Sequence, residues 1–560
     1  MKKALLYSLL LVSFIACKTK NVTTGVTADH AMVVSARVEA SEIGLDILKK
    51  GGNAFDAMIA TKFALAVAYP VAGNIGGGGF MVYRLNDGTT GSLDFREKAP
   101  LAASKQMYLD SLGNVIEGKS TTGASAVGIP GSVAGMFAAH KKFGSLPMET
   151  LIQPAIDLAK KGVVVTQKQA NSLNYFRKKI VEVSGDTILF AKQFNANDTI
   201  KYQALAKTLE HIRDQGAAGF YQGEVAQKIV DFIQLNGGII SLEDLKQYQA
   251  IWRDPVEFQY HNLKIIAMGP PSSGGITLAQ IMEMVEPYSI GNYTHNAIEH
   301  IQLMTEAERR AYADRAYFLG DPDFVNVPQK ELLDQAYLNK RMESFSFDRA
   351  SSSADVGHGA IKVLEHDQTT HYSIVDAMGN AIAVTTTING AFGSKLYSEE
   401  LGFFFNNEMD DFSVKPGTPN MFGLTGGQAN SIVAEKRMLS SMTPTIVEKD
   451  GALSMTLGTP GGSTIITSVA QTLLNVYDFG MGMQQAVDAP RFHHQWLPDE
   501  ILMEPEGFDT ITIETLKGKG YKIQQGRSRI IGKVDGIYIL PDGRLEGGAD
   551  HRGDDTAVGF

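Results

Sequence analysis

The chain has 560 residues and a mass of 60.6 kDa, and its 44% hydrophobic, 20% charged and 9% aromatic composition can bury a large core in several domains or one large enzyme fold. With 51 Lys+Arg against 61 Asp+Glu the net charge is −10, which argues against a nucleic-acid binder, and the 57 glycines follow no collagen-like period. A single Cys excludes an internal disulfide framework and any zinc site built from several cysteines.

In chain order, the first feature is a targeting signal. Lys2 and Lys3 precede an apolar run of 13 residues, 4–16, which suits a signal sequence and is shorter than the roughly 20 residues a bilayer span needs. It ends at Ala16 and Cys17, followed by polar Lys18, Thr19 and Lys20. This resembles a bacterial lipoprotein signal, in which the Cys is acylated and becomes the mature N-terminus. Phe14 stands where Leu is usual, so ordinary signal cleavage nearby is the alternative. Residues 1–17 are expected to direct export, leaving a periplasmic or membrane-tethered lipoprotein with a soluble body.

From residue 29 to about 81 the pattern is helical and punctuated by glycine. Residues 40–50 have apolar positions at helical spacing and close on Gly51 and Gly52, and 53–69 predict a second, almost wholly apolar and therefore buried helix. Four consecutive glycines, Gly76 to Gly79, precede a strand over 80–83 and predict a close approach of backbone to something. Residues 133–250 alternate helices, for example 205–215 and 223–235, with short loops. A strand, a Gly-Pro-Ser turn and a helix follow within 261–285. Beyond about 345 the character changes: residues 371–376 and 381–387 read as paired strands around Gly379, and 443–457 as a hairpin around Asp450 and Gly451. No repeat of fixed period occurs. Antiparallel pairs with buried helices predict an α+β layered enzyme.

Two familiar motifs fail on context. Gly113 to Ser120 matches a phosphate-loop expression, but no buried strand precedes it and Gly128, Pro130 and Gly131 forbid a helix at Lys119 and Ser120. His493 and His494 are adjacent, so on a strand they face opposite ways, and His366 and His371 flank a loop end; satisfied structural histidines are the better reading. No G-x-S-x-G elbow is present, which disfavours an α/β-hydrolase.

The segment from Asp367 to Asp376 carries the chemistry. A threonine hydroxyl is a poor nucleophile without a base beside it. Placing Thr at the start of a chain lets its own α-amine, with a pKa of about 7.7–8, take the proton. An internal Thr reaches that state only if the preceding peptide bond is cut, and a loop feeding a strand at Thr369 is a suitable place. By itself, Thr369-Thr370 before a strand is ordinary β-propensity.

Gln368-Thr369-Thr370-His371-Tyr372-Ser373, with Val375 and Asp376, resembles the processing site of γ-glutamyltranspeptidases. The resemblance extends in order from about residue 28 to the C-terminus. It includes Asn74 through Met81, Asp94 through Glu97, Gly128 through Gly131 and Pro270 through Gly275. It continues in Asn406 through Phe412, Ser440 through Thr445, Gly458 through Ser463 and Arg491 through Trp496.

That resemblance implies an N-terminal-nucleophile hydrolase with an αββα sandwich, made as a proenzyme that cuts itself between Gln368 and Thr369. Residues 18–368 would form the large subunit and 369–560 the small one, the two composing a heterodimer. Thr369 would then attack the γ-glutamyl amide of glutathione and related compounds, passing the acyl group to water or to an amino acid or dipeptide acceptor. Arg96, Ser440 and Ser441 match the family's clamp for the substrate α-carboxylate, and Asn389, Glu408 and Asp411 match its acceptors for the α-ammonium. Gly461 and Gly462 match the oxyanion hole, and Thr387 the threonine that orients the nucleophile.

The loop 416–427 resembles the lid of bacterial members, with Phe422 at its tip where Tyr is common. The missing hydroxyl predicts a looser lid and more hydrolysis than transfer. No metal or organic cofactor is implied, no nucleic acid, and no membrane contact beyond the lipid at Cys17. The rival readings are a related β-lactam acylase or poly-γ-glutamate depolymerase, and an inert lipid-anchored binding protein.

Overall fold

The computed structural model describes residues 24–358, 369–415, 417–418, 420–421, 424, 427–525 and 530–560. The expected signal segment 1–17 with Cys17, residues His366 and Gln368, and the expected lid residue Phe422 lie outside the described residues.

Strands β1 (Val26–Ala28) and β2 (Met32–Ser35) open the described chain, followed by helices α1 (Val38–Lys49) and α2 (Ala54–Ala68). β2 corrects the helical expectation for residues 29–81. Its four residues are too few to display an alternation, and all of them are buried. Helix α2 is apolar around its whole circumference and buried along its whole length. Its start is fixed by Asn53, whose side chain accepts the N–H groups of Phe55 and Asp56 while the Asp56 carboxylate accepts the N–H of Asn53.

Strands β3 (Gly78–Arg84) and β4 (Thr90–Asp94) come next. After a helical stretch that includes Gln203–Gln215 and Gly223–Leu235 follow β5 (Ile251–Arg253), β6 (Val256–Tyr260) and β7 (Leu263–Ala267). Helices α3 (Gly274–Val285) and α4 (Ile298–Phe318) precede the central hairpin of β8 (Thr370–Val375) and β9 (Ala381–Thr387). The chain ends with β10 (Thr445–Lys449), β11 (Ala452–Gly458), α5 (Thr464–Tyr477), β12 (Asp535–Ile539), β13 (Leu545–Gly548) and β14 (Thr556–Gly559).

Fourteen of the strands make two seven-stranded antiparallel sheets, ordered β1-β13-β12-β11-β10-β7-β6 and β14-β2-β8-β9-β3-β4-β5. Alternation along each strand sorts the side chains into layers. Tyr372 and Ile374 of β8 pack with α1 and α2, whereas Ala381 and Ala383 of β9 point to the other sheet. Ile446 of β10 meets that inter-sheet core, and its neighbour Val447 packs with α3, α4 and α5. The order is helices, sheet, sheet, helices, as the family resemblance implies.

Residues 113–120 form turns with no helix opening at their end, and Lys119 Nζ donates to the Met107 carbonyl instead of facing an anion site. Among the described residues no three His, Cys, Asp or Glu side chains come together in a way that could hold a metal ion, and no helix is long and apolar enough to cross a membrane.

Candidate active site

Thr369 stands immediately before β8 and is only 4% exposed. The ladder begins one residue later, where Thr370 pairs with Thr386, and on the far side of β9 Thr387 pairs with Gly78. Backbone pairing on both sides of β9 therefore fixes where Thr369 and Thr387 lie. The four-glycine run explains itself here. A Cβ at Gly77 would overlap the Thr387 carbonyl, and one at Gly76 the Phe404 carbonyl.

Thr369 lines a narrow recess with Arg96, Thr387, Asn389, Asp411, Ser440, Ser441 and Gly462. Asn389 takes a left-handed backbone (φ 67°), which Asn tolerates better than most residues, and its N–H donates to Thr387 Oγ1 at 2.6 Å. Its side-chain amide donates to the Asn407 carbonyl at 3.0 Å. Asn406 ties three loops together, accepting from the Gly128 and Glu408 N–H groups and donating to the Gly76 and Gly128 carbonyls.

Arg96, two residues beyond β4, is 1% exposed and lies among three carboxylates. Its Nη1 is 2.5 Å from Glu408 Oε2 and 3.5 Å from Glu97 Oε2, and its Nη2 donates to Asp411. Burial works against the Arg96 charge, but Glu408, Asp411 and Glu97 more than offset it and hold the guanidinium protonated. Burial pushes the Glu408 carboxyl well above the carboxylate range, against the pull of Arg96, and raises Asp411 in the same way. Glu97, shielded from water on all sides, is pushed up to about 7.

Two expected members sit off this recess. Glu408 is fully buried behind it against Arg96, and Gly461 lines a larger neighbouring cavity with Tyr69, Val71, Phe392 and Lys533. Gly461 (φ 142°) and Gly462 (φ 51°) both occupy backbone states that L residues rarely adopt. They lead directly into α5 through Ser463.

The adjacent pair His493 and His494, and His371, are internal. His371 Nδ1 lies 2.9 Å from Thr385 Oγ1 and its Nε2 3.0 Å from Ser373 Oγ, and burial lowers its pKa to about 3. His493 faces Thr467 and Gln495, and burial lowers it to about 3. Both are neutral at physiological pH and neither lines the recess.

Asn420 and Leu424 of the 416–427 loop and Met442 of the serine motif also line this wall, and sequence reasoning missed Arg315, Asn430, Leu439 and Ile465. Arg315 of α4 donates from Nη2 to Ser441 Oγ and from Nε to Ser273 Oγ, each at 2.8 Å. One signal pointed to it. Glu306, Glu308, Arg309, Arg310, Asp314 and Arg315 are spread around the whole helix circumference, so some of these charges had to face inward. Asn430 accepts the Leu439 N–H and donates to the Asp411 carbonyl, joining the serine segment to the acidic turn.

The family model for γ-glutamyltranspeptidase matches residues 40–560. A glutathione hydrolase proenzyme of Escherichia coli (strain K12) is 43% identical over 540 residues, covering 96% of this chain and 93% of that protein. The crystal structure of a Helicobacter pylori γ-glutamyltranspeptidase chain superposes with a TM-score of 0.57 at 43% identity, over 60% of this chain and 96% of that one. A cephalosporin acylase from Bacillus halodurans shares the fold over 99% of both chains, with a TM-score of 0.84 at 24% identity.

Proposed function

This chain belongs to the γ-glutamyltranspeptidase family and has its N-terminal-nucleophile fold, and we propose that it cuts itself between Gln368 and Thr369 and then cleaves γ-glutamyl amides such as glutathione. The observation that carries the reading is the recess itself, where a buried threonine at the head of a central strand shares walls with Arg96, Asp411, Ser440 and Ser441. An α-amino acid head is a zwitterion. It fits where a guanidinium already faces a carboxylate, because its carboxylate takes over the Arg96 arm that holds Asp411 while its ammonium takes over Asp411, and Glu408 keeps the other arm of Arg96. Each buried charge then keeps a partner, which it must, since an unpaired one is costly.

In the first step Thr369 Oγ attacks the Gln368 carbonyl carbon. The C–N bond breaks, the Thr369 nitrogen takes the proton, and water hydrolyses the resulting ester. This divides the chain into 18–368 and 369–560 and frees the α-amine. In turnover that amine takes the hydroxyl proton as Oγ attacks the γ-carbonyl, then gives it to the leaving amine. The negative oxygen of the tetrahedral intermediate requires donors, and the N–H groups of Gly461 and Gly462 are the ones we assign, each worth about 3–4 kcal/mol in comparable sites. Thr387, whose Oγ1 accepts the Asn389 N–H, orients the nucleophile from the neighbouring strand. Water or an acceptor amine resolves the acyl-enzyme.

Intact mass of the purified protein beside a Thr369→Ala control tests the reading. The wild type should give pieces of about 38 and 21 kDa, in proportion to their lengths, and the control one uncut chain. A single uncut mass in both overturns it.

The lid supports a finer proposal, that hydrolysis outweighs transfer. Asn420 and Leu424 line the recess, and Asn389 Nδ2 lies 3.8 Å from the Met421 sulfur. Phe422, next to Met421 in the sequence, has no hydroxyl with which to anchor a cover over this space. Phe422→Tyr should raise the ratio of transfer to hydrolysis at a fixed, modest dipeptide concentration, and an unchanged ratio would dismiss the idea.

A further inference from the structure

Arg315 lines the recess together with Arg96 and is 2% exposed. A serine hydroxyl has one proton to give and two lone pairs to receive with. At Ser441 a lone pair is taken by Arg315 Nη2 at 2.8 Å; at Ser440 one is taken by the Met442 N–H at 3.1 Å. Neither hydroxyl gives its proton to an acceptor among the described residues, so both protons are available to a ligand in the recess. The other arm of Arg315 holds Ser273 Oγ, which passes its own proton to the Ser440 carbonyl at 2.7 Å. One guanidinium thus sets the Ser441 hydroxyl and, through Ser273, the backbone of Ser440. Arg96 is already shared among Glu408, Asp411 and Glu97, so its charge alone is poorly suited to select an anion, and Arg315, whose charge also acts on Asp411, adds a second one.

We infer that Arg315 is a positioning residue for the donor: it aims the Ser441 hydroxyl proton at the substrate α-carboxylate and supplies the second cation that makes this recess select γ-amides bearing a free α-carboxylate. The inference rests on the γ-glutamyl reading of the site.

The test is a double-mutant cycle on the full chain with γ-glutamyl-p-nitroanilide, using wild type, Arg315→Met, Ser441→Ala and the double variant. A charge-assisted hydrogen bond lost from recognition predicts that Arg315→Met raises KM by about 10- to 100-fold while kcat falls less than about threefold. In that background Ser441→Ala should cost under about threefold more, because the hydroxyl it removes is no longer aimed. Arg315→Lys, which restores the charge, should recover part of the KM. The inference is overturned by an unchanged KM, by equal losses in kcat and kcat/KM, or by additive effects of the two substitutions. Failure of both Arg315 variants to yield cut protein also overturns it, assigning the residue to folding or self-cleavage. A wild type that is cut but does not turn over the donor counts against the function reading, whereas an active wild type with indifferent variants counts against Arg315 alone.

Discussion

Lys62 is the one basic residue of the buried helix α2, itself shielded from water, and its surroundings set a pH dependence of stability. Its Nζ donates to the Asn74 carbonyl at 2.8 Å and to Thr386 Oγ1 at 2.6 Å, next to Thr387. Burial lowers its pKa from 10.5 to about 7, with Glu97 opposing the shift. The unfolded chain holds this proton up to about pH 10.5, whereas the folded chain releases it near 7. Between those values the unfolded state binds more protons, so stability contributed by this group rises with pH, by on the order of 5 kcal/mol at most across the window. Lys62→Met removes the titration. Its Tm advantage or deficit relative to wild type should therefore shift in favour of wild type from pH 7 to pH 10, and a difference that stays flat would refute the shift. At this scale the sequence displayed Thr369, Arg96 and the serine pair only because whole motifs matched a known family. Composition and spacing alone left each with an ordinary reading. Arg315 and Lys62 escaped because nothing in a linear pattern says which charge on a helix turns inward.

The four glycines at the start of β3, two before it and two within it, are an element-scale device. They let that strand and the loop before it lie against the carbonyls of Thr385, Thr387 and Phe404, fixing the end of β9. Any side chain at Gly77 must push the Thr387 backbone away, because the overlap is with main chain and not with a flexible tip. Thr387 would then shift relative to Thr369, and small misplacements of reacting groups are costly to rate. Gly77→Ala should slow self-cleavage at least about tenfold, read as uncut chain persisting on a denaturing gel, while rapid and complete cutting would show the contact to be slack. This close approach was legible in the sequence, as were buried α2 and the hairpins β8–β9 and β10–β11, each carried by a local pattern. β2, β1 and β5 were not, since three or four residues carry no period and their places come from partners far along the chain.

Across the whole molecule, the cut at Thr369 would sever one peptide bond and leave both sheets intact. β8 and β9 of the downstream piece lie between β2 and β3 of the upstream piece, β14 covers the outer edge of β2, and in the other sheet β13 pairs with β1 and β10 with β7. All three main layers of apolar contact draw residues from both sides of the cut. The apolar layers run across the cut, so the two pieces should co-elute in native size-exclusion chromatography and unfold in one transition. Unfolding of the cut protein nevertheless releases two chains where the uncut control releases one. Mass action then makes the wild-type Tm rise with protein concentration, by on the order of 1 °C per tenfold for a protein of this size, while the Tm of Thr369→Ala stays constant. Concentration-independent melting of fully cut protein, or two resolved transitions, would show that the pieces are not bound through a common fold. This test depends on strand order alone, and strand order is what the linear pattern could not supply: every pairing between the two pieces joins segments separated by well over a hundred residues.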